Sequence, residues 1–332
     1  MAYLVTGAMG YIGSRVARDL LRAGHKVVGF DRATDSPEAR GVLGDDFDRL
    51  VRVQGDIGDT MQVFRAVHEN EAEVIVHNAF SMDTADYRPP KGGAQAAATV
   101  RMVGEVDLAH ALRVNSGGML NILEAARTFG VRRVVYTSAF AALGSRIAQF
   151  HAEPITDDAV FQPDSMYGAT KILNEVMASI YADRFGVDSI GFRIARTFGY
   201  SNPAMPFTAF NRDVALDRPV AFNDPNYINS YIYVEDCAAA HAYACDAPPQ
   251  TRKVFNLREG EYSNQQLFDA IKRVKPNAEI RWDPSVNDGV PTPRILANAV
   301  RDELGWRPRY TLESALREIY NHWREQEGLP LL

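Results

Sequence analysis

Short apolar runs alternate with amphipathic segments through the first half of the chain. The runs YLV, KVVGF, LVRVQG, EVIVHNA and RRVVYTS have the length and residue types of buried strands. Between the first two runs, Ile12, Val16, Leu20 and Leu21 recur at helical spacing on one face. Strands that alternate with helices in this way predict an α/β fold with a doubly wound parallel sheet.

The second half of the chain has a different pattern of residue types. The run SIGFRIA is typical of one more buried strand, and proline and aromatic residues are frequent from Pro203 to Tyr233. Residues 312–327 predict a final helix. We therefore expect residues 1–190 to form the sheet domain, and residues 191–332 to form a smaller, mixed portion that is interleaved with the sheet.

Residues 81–111 form a long connection after the fourth strand candidate. Connections of this length are usually functional or mobile. Two interpretations stay open at this point: a partly disordered surface excursion, and a lid over a substrate site.

A glycine-rich turn, TGAMGYIG, follows the first strand and opens the first helix. Glycine at Gly7, Gly10 and Gly13 allows a tight turn and the close approach of a pyrophosphate. The free N–H groups and the dipole of the helix start favour an anion. The strand before the turn and the helix after it make a nucleotide-binding site more specific than the glycines alone.

Two acidic residues follow the next strands. Asp31 comes 18 residues after Gly13, where a carboxylate accepts hydrogen bonds from both ribose hydroxyls of NAD. This carboxylate would repel the 2′-phosphate of NADP, although the adjacent Arg32 could hold that phosphate; Asp31 could also be a turn or cap residue. Asp56 is a candidate to accept the adenine amino group, or to cap the helix that begins near Thr60.

The segment SMYGATK carries the candidate catalytic pair. Tyr167 and Lys171 are four residues apart and share one face of a helix. Lys171 can then lower the pKa of the tyrosine and hold the nicotinamide ribose. Tyr167 can exchange a proton with a hydroxyl or carbonyl group while hydride moves.

These motifs together resemble the extended short-chain dehydrogenases/reductases of the NAD-dependent epimerase/dehydratase type. The similarity spans nearly the whole chain, through TGAMGYIG, GDIGD, VIVHNA, NSGGMLNILEAA, RRVVYTSA, YGATK, GFRIARTFGY, YIYVEDCAAAH and ELGWRP. The resemblance implies a Rossmann fold, bound NAD(P), and Tyr167 as the catalytic acid/base with Lys171 as its partner. It also implies that Asn115 orders the active-site helix or a relay water, and that helices near 113–129 and 165–186 form a homodimer. The same motifs make further residues candidates for cofactor binding: Tyr11, Ile12, Ile57, Asn78 and Ala79.

One expected hydroxyl is missing. Aligned on Gly144, VVYTSAFAALG compares with family patterns that resemble VFSSSATVYG, and Ala139 lies where many relatives carry the substrate-binding hydroxyl. Ser138 and Thr137 carry the nearest hydroxyls. We take Ser138 as the candidate because it lies just past the strand end, where a side chain can turn toward the cofactor. The alternative is that Ser138 bonds only to the backbone.

Other departures from the family bear on the substrate. Asn229 stands where relatives that bind nucleotide diphosphates carry an arginine, and Arg196 replaces a common asparagine. Phe140 and Ala141 replace the acid–base pair of 4,6-dehydratases. We therefore expect a substrate without a nucleotide diphosphate, with Arg196 at its polar end. Arg196 could instead pair with a structural acid, and Arg294 could take over a diphosphate.

Composition narrows the classes of partner and compartment. The chain of 332 residues has a net charge of −6 and no Lys/Arg block, which argues against nucleic acid or an anionic membrane as partner. Its two cysteines, Cys237 and Cys245, suggest neither a disulfide framework nor a metal site. No signal peptide and no membrane span is visible, so we expect a cytoplasmic protein.

The favoured function is that of an NAD-dependent oxidoreductase acting on a hydroxyl or carbonyl of a small polar substrate, similar to a sugar or a hydroxy acid. Residues 191–332 are expected to bind most of that substrate. One alternative is an NAD-dependent nucleotide-sugar epimerase. A second, a non-catalytic NAD-binding regulator, is disfavoured by the intact Tyr167 and Lys171.

Overall fold

The computed structural model describes residues 1–81, 107–144, 147, 154–201, 206–286 and 294–332. The strands are β1 (Ala2–Thr6), β2 (Lys26–Asp31), β3 (Val51–Gln54), β4 (Val74–His77), β5 (Arg133–Ala139), β6 (Ser189–Ile194), β7 (Arg196–Phe198), β8 (Val220–Phe222), β9 (Ile228–Tyr233), β10 (Val254–Leu257), β11 (Gly260–Ser263) and β12 (Ile280–Trp282). The helices are α1 (Gly13–Arg22), α2 (Pro37–Leu43), α3 (Thr60–Glu69), α4 (Leu108–Ala111), α5 (Gly118–Phe129), α6 (Met166–Phe185), α7 (Pro206–Ala215), α8 (Val234–Asp246), α9 (Asn264–Val274), α10 (Ala299–Asp302) and α11 (Leu312–Gln326). The lid interpretation of residues 81–111 falls mostly on residues 82–106, which lie outside the described residues.

The large sheet has seven parallel strands in the order β10-β6-β5-β4-β1-β2-β3. This confirms the doubly wound parallel sheet that the alternating apolar runs predict. The strand order reverses between β1 and β4, and parallel sheets of this kind bind ligands in the crevice at that point. Thr6 pairs in register with His77, so the segments that follow β1 and β4 start at the same edge of the sheet.

Helices cover both faces of this sheet. On one face, α1 and α8 contact each other, and their apolar residues share a core with β1 and β6. On the other face, α3, α5 and α6 form the second layer, with Val63, Ile122 and Ala178 in one buried cluster. Val16, Leu20 and Leu21 are buried on α1, which confirms the helix face that their spacing predicts.

Strands from both sides of residue 190 build the large sheet, because β6 and β10 complete it. The remaining strands of the second half form a three-stranded sheet, β11-β9-β7, and a pair, β12-β8. Helices α7, α9 and α11 contribute to a third apolar cluster with β8 and β9. Because β7 begins directly after β6, Arg196 lies just beyond the carboxyl end of the large sheet.

Both cysteines are free and buried. No described helix is long and apolar enough to cross a bilayer. Within the described ranges, no group of three or more His, Cys, Asp or Glu side chains is arranged to hold a metal ion.

Candidate active site

The glycine turn lies at the crevice between β1 and β4, and its geometry explains the glycines. Gly7 has a φ of +70°, and a Cβ at Gly7 would come within 2.9 Å of the backbone nitrogen of Ala79. A Cβ at Gly13 would lie 2.1 Å from the carbonyl oxygen of Gly7. A Cβ at Gly10 would meet only that oxygen, at 3.3 Å, so this side of the turn is open. No side chain caps α1 at Ile12. The N–H of Ser14 donates to the carbonyl oxygen of Gly10 at 3.0 Å, and the helix start still offers its dipole to an anion such as a pyrophosphate.

The carboxylate of Asp31 reaches the same turn. Its Oδ2 accepts the backbone N–H of Met9 at 3.0 Å, which fixes the acidic side chain beside the predicted nucleotide. Arg32 is exposed. The structure therefore places the Asp31 carboxylate at the glycine turn, where the sequence predicts the ribose.

Asp56 lies at the carboxyl end of β3, and it does not cap the next helix. Asp59 caps α3 by accepting the N–H of Gln62 at 3.1 Å. Asp56 instead accepts the N–H of Gly58 at 2.8 Å and a guanidinium N–H of Arg113 at 2.9 Å. The capping alternative is therefore wrong. The neighbouring Ile57 is buried in the core and its carbonyl accepts the amide of Asn121.

A buried chain of polar groups links the ends of β4 and β5 to α8. The Thr137 hydroxyl donates to Oδ1 of Asn78 and lies 2.9 Å from Nε2 of His241. Nδ1 of His241 lies 2.7 Å from the carbonyl oxygen of Cys237. The Thr137 hydroxyl therefore forms its hydrogen bonds inside the protein, to Asn78 and His241.

The predicted catalytic pair is brought together on α6. Nζ of Lys171 donates to the carbonyl oxygen of Thr137 at 2.9 Å, and it lies 5.2 Å and 5.4 Å from the ring centroids of Phe80 and Tyr167. Burial lowers the pKa of Lys171 to about 8, although the carboxylate of Glu175 opposes this change. Burial raises the pKa of Tyr167. A proton-transfer role for Tyr167 thus requires a nearby positive charge that stabilises its phenolate, and Lys171 is placed to supply it.

The segment after β5 is held against the start of α6. A Cβ at Gly168 would lie 2.3 Å from the carbonyl oxygen of Ala141, so the residue after Tyr167 has to be glycine for this contact. Ala139 ends β5 and is buried. Ala139, which lacks the hydroxyl common in the family, therefore lies two residues before Ala141, which packs against the start of α6.

Ser138 does not suit the substrate-binding role that its sequence position predicted. Its side chain is fully buried, and its hydroxyl donates to Oε1 of Glu175 at 2.5 Å. The alternative that it bonds only to backbone is also wrong, because the acceptor is a side chain. Neighbouring residues of a strand point to opposite faces, so Ser138 faces α6 whereas Thr137 faces α8.

Asn115 lies in a π-helical stretch, Leu112–Gly117, that precedes α5. Its side chain accepts the N–H of Ser81 at 2.7 Å, and its carbonyl oxygen accepts the amide of Asn174 on α6 at 3.0 Å. Asn115 thus connects the end of β4 to the helix that carries Tyr167. Single π turns inside helices are frequent at functional sites, and no sequence pattern indicated this one.

Two of the residues predicted to bind the substrate, Arg196 and Asn229, lie on neighbouring strands of the three-stranded sheet, and Arg294 lies outside it. Arg196 is exposed, and its Nη2 donates to the hydroxyl of Tyr227 at 3.3 Å. Asn229 is buried and its Nδ2 donates to the same hydroxyl at 2.9 Å. Arg294 is exposed, and its Nε lies 3.8 Å from Oε1 of Glu261. Tyr227 thus brings positions 196 and 229 into one hydrogen-bonded cluster, which the sequence did not reveal.

Sequence reasoning missed three buried residues next to this site: Glu175, Arg193 and His241. Glu175 shares its helix face with Tyr167 and Lys171, since it follows Lys171 by four residues. Arg193 interrupts the apolar run GFRIA, and a charge inside a buried strand requires a partner. These two signals were present in the sequence, whereas nothing local pointed to His241.

The sequence matches the NAD dependent epimerase/dehydratase family over residues 3–257. The UDP-glucose 4-epimerase of Mycolicibacterium smegmatis is 29% identical over 335 residues, which cover 98% of this chain and 99% of that relative. The UDP-glucose 4-epimerase of Thermus thermophilus, solved in complex with NAD, is 25% identical with a TM-score of 0.76, covering 98% and 99% of the two chains. The L-threonine dehydrogenase of Clostridium difficile shares the fold, with a TM-score of 0.79 at 21% identity and 98% coverage of each chain. The chain therefore belongs to the NAD-dependent epimerase/dehydratase family of extended short-chain dehydrogenases/reductases, a family of enzymes.

Proposed function

We propose that the protein is an NAD-dependent dehydrogenase that interconverts a hydroxyl and a carbonyl group on a small polar substrate with one anionic end. NAD would lie on the glycine turn of Gly7, Gly10 and Gly13 and supply the hydride acceptor. Tyr167 takes the proton of the substrate hydroxyl, and Lys171 stabilises the resulting phenolate. The position of the Lys171 ammonium, 5.2 Å and 5.4 Å from the ring centroids of Phe80 and Tyr167, supports these roles.

The observation that carries the substrate class is the state of Arg196. Its guanidinium is exposed, and within the described residues it has a single hydrogen bond, to a neutral tyrosine hydroxyl. The other arginines near this sheet edge differ, because Arg258 and Arg294 share the carboxylate of Glu261 at 3.3 Å and 3.8 Å. Of these three arginines, Arg196 is therefore the one whose guanidinium is not paired with a carboxylate among the described residues, and it can bind an anionic substrate.

One guanidinium suits one carboxylate. Arginine binds a carboxylate through two parallel N–H groups, and the exposed fork of Arg196 can do so. Asn229 adds only a neutral amide to this site, and that amide already donates to Tyr227. A diphosphate would carry more negative charge than these two residues neutralise, so we favour a hydroxy acid or an acidic sugar.

A second candidate is an NAD-dependent nucleotide-sugar epimerase. The relative from Mycolicibacterium smegmatis, 29% identical over 98% of this chain, is named as a UDP-glucose 4-epimerase. The cluster around Tyr227 also brings the Arg196 guanidinium near position 229, where diphosphate-binding relatives carry an arginine. An arginine moved to the neighbouring strand could therefore hold a diphosphate.

A substrate panel separates the two candidates. Purified protein and NAD are mixed with hydroxy acids, sugar acids and free sugars, and NADH is followed by absorbance; UDP-sugars are incubated in parallel and their epimers separated by chromatography. We expect stoichiometric NADH from an acidic substrate and no epimer. Saturable epimerisation of a UDP-sugar without net NADH would replace the first candidate by the second.

The role of Arg196 is tested with a matched pair of variants. Loss of a charge-assisted hydrogen bond costs about 1.5–3 kcal/mol, so Arg196→Ala should raise KM roughly 10- to 150-fold with little change in NAD affinity. Arg294→Ala is the control, since it removes an exposed guanidinium that has a carboxylate nearby. If both variants keep the wild-type KM, Arg196 does not bind the substrate.

We also propose a homodimer formed through α5 and α6. Leu173, Val176 and Ile180 lie on one stripe of α6 and are 42%, 42% and 44% exposed, and Leu120 of α5 is 41% exposed. Apolar side chains at this spacing on two neighbouring helices fit a self-complementary two-fold interface.

A further inference from the structure

A buried ion pair lies directly behind the catalytic lysine. Glu175 follows Lys171 by one helical turn, and its carboxylate receives the guanidinium of Arg193 from β6. The Arg193 Nη2–Glu175 Oε2 distance is 2.8 Å, and Arg193 Nε lies 3.1 Å and 3.2 Å from the two carboxylate oxygens. Both side chains are at least nine-tenths buried. The catalytic helix is therefore tied to the sheet by charge at this turn.

A serine of the neighbouring strand β5 also bonds to this ion pair. Ser138 of β5 donates its hydroxyl to Oε1 of Glu175, so one carboxylate receives donors from β5 and β6. Arg193 in turn donates to the carbonyl oxygen of Asp157 at 2.9 Å. We call Ser138, Glu175 and Arg193 the helix anchor. Burying such a pair carries a desolvation cost that apolar packing would avoid. This cost points to a functional role for the buried charge of Glu175.

Few ionisable groups lie near the ammonium of Lys171 within the described residues. The ionisable groups near its ammonium are Tyr167 and Glu175 on α6 and His77 on β4, with Arg193 behind Glu175. Burial and the nearby Lys171 lower the pKa of His77 to about 3, so His77 is neutral. Within the described residues, Glu175 is therefore the negative charge that stabilises the ammonium.

We propose that Glu175 is a positioning residue that keeps Lys171 protonated and aimed at Tyr167. Its carboxylate is buried and bonded to Ser138 and Arg193, so it would act through the lysine. The proposal rests on the roles given above to Tyr167 and Lys171, but not on the identity of the substrate. It also gives Ser138 a task, since its hydroxyl helps to fix the carboxylate.

The test measures the titration of Lys171 itself. Glu175→Gln keeps the shape and an acceptor oxygen but removes the charge, so the ammonium form of Lys171 loses stabilisation and its pKa falls. The protein is treated with trace acetic anhydride over a pH series, and acetylation of Lys171 is quantified by peptide mass spectrometry, with the exposed Lys26 as internal reference. The charge of Glu175 favours the ammonium form of Lys171, and an opposite charge close to an ionisable group shifts its pKa by roughly 1–3 units. We expect the Lys171 midpoint to fall by about one unit or more.

Two further variants distinguish charge from packing. Ser138→Ala retains both charges and should leave the midpoint closer to that of wild type than Glu175→Gln does, because it removes only a neutral hydrogen bond. Glu175→Asp should restore part of the shift. If Glu175→Gln does not fold, because Arg193 is left unpaired, the double variant Glu175→Gln/Arg193→Met removes both charges and should still lower the midpoint.

An unchanged Lys171 midpoint in Glu175→Gln, or in the double variant, overturns the proposal. This readout needs no substrate, so it is independent of whether the dehydrogenase or the epimerase assignment holds. Once a substrate is known, the same variant should lose activity on the basic side at a lower pH than wild type, because Lys171 becomes neutral earlier. A uniform loss of kcat with the same pH profile would indicate a purely structural role.

Discussion

Arg15 offers a sharp test of how the nucleotide-binding helix is held to the second half of the chain. This arginine lies two residues after Gly13 and is fully buried. Its guanidinium donates to Glu235 at 2.8 Å, to the carbonyl oxygen of Tyr11 at 2.7 Å and to Glu38 at 2.7 Å. The predicted cofactor turn and α8 therefore depend on the same side chain.

The expected magnitude follows from burial. Removing one member of a buried ion pair costs about 3–5 kcal/mol, since the other charge is left without its partner. For Arg15→Met the lower end applies, because Arg18 still pairs with Glu235 and Glu38 is partly exposed. We expect a loss of about 3 kcal/mol in the free energy of unfolding, on the same basis. The aliphatic part of methionine retains much of the packing, so the change isolates the charge.

The assay is equilibrium urea denaturation followed by circular dichroism. Arg22→Met is the matched control, because Arg22 lies on the same helix, is 60% exposed and pairs with Asp46 at 3.0 Å. Exposed pairs contribute about 0–1 kcal/mol. Equal unfolding free energies for the two variants would refute the reasoning. We also expect weaker NAD binding in Arg15→Met alone, since the Tyr11 carbonyl loses its donor.

Three further outcomes are expected. Tyr167→Phe should lower kcat by about 10²–10⁴-fold with NAD affinity by calorimetry nearly unchanged; wild-type turnover would assign the proton to another group. NAD should bind more tightly than NADP, because the Asp31 carboxylate lies at the glycine turn; equal calorimetric affinities would make Arg32 the phosphate ligand. Val176→Asp should convert a dimer into a monomer in light scattering, whereas an unchanged mass would exclude this face of α6.

The sequence determined the parts of this protein that are local or periodic. Apolar runs separated by amphipathic segments predicted the parallel sheet, and the seven strands confirm it. Glycine spacing predicted a tight turn, and the 2.1 Å approach that a Cβ at Gly13 would make to Gly7 gives the reason. Tyr167 and Lys171 share a helix face because a four-residue separation dictates it.

Only the tertiary structure decided to which face of the sheet each side chain of β5 points. Strands of a parallel sheet are buried on both sides and carry no alternating pattern, so the sequence did not tell whether Ser138 or Thr137 faced the site. In the fold, the Ser138 hydroxyl bonds to Glu175, which is 37 positions away in the chain, and the Thr137 hydroxyl lies within bonding distance of His241, 104 positions away. Both hydroxyls form their hydrogen bonds with side chains inside the protein.

The same limit applies to the substrate end. The substitutions at Arg196 and Asn229 were visible in the sequence, but their common contact with Tyr227 was not. Arg196 comes from β7 and Asn229 from β9, and their proximity depends on how these strands pair. Residue types and spacing thus predicted the glycine turn and the Tyr167–Lys171 pair, because each lies within one short segment. The helix anchor and the cluster of Arg196, Tyr227 and Asn229 required the three-dimensional fold, because each is assembled from separate elements.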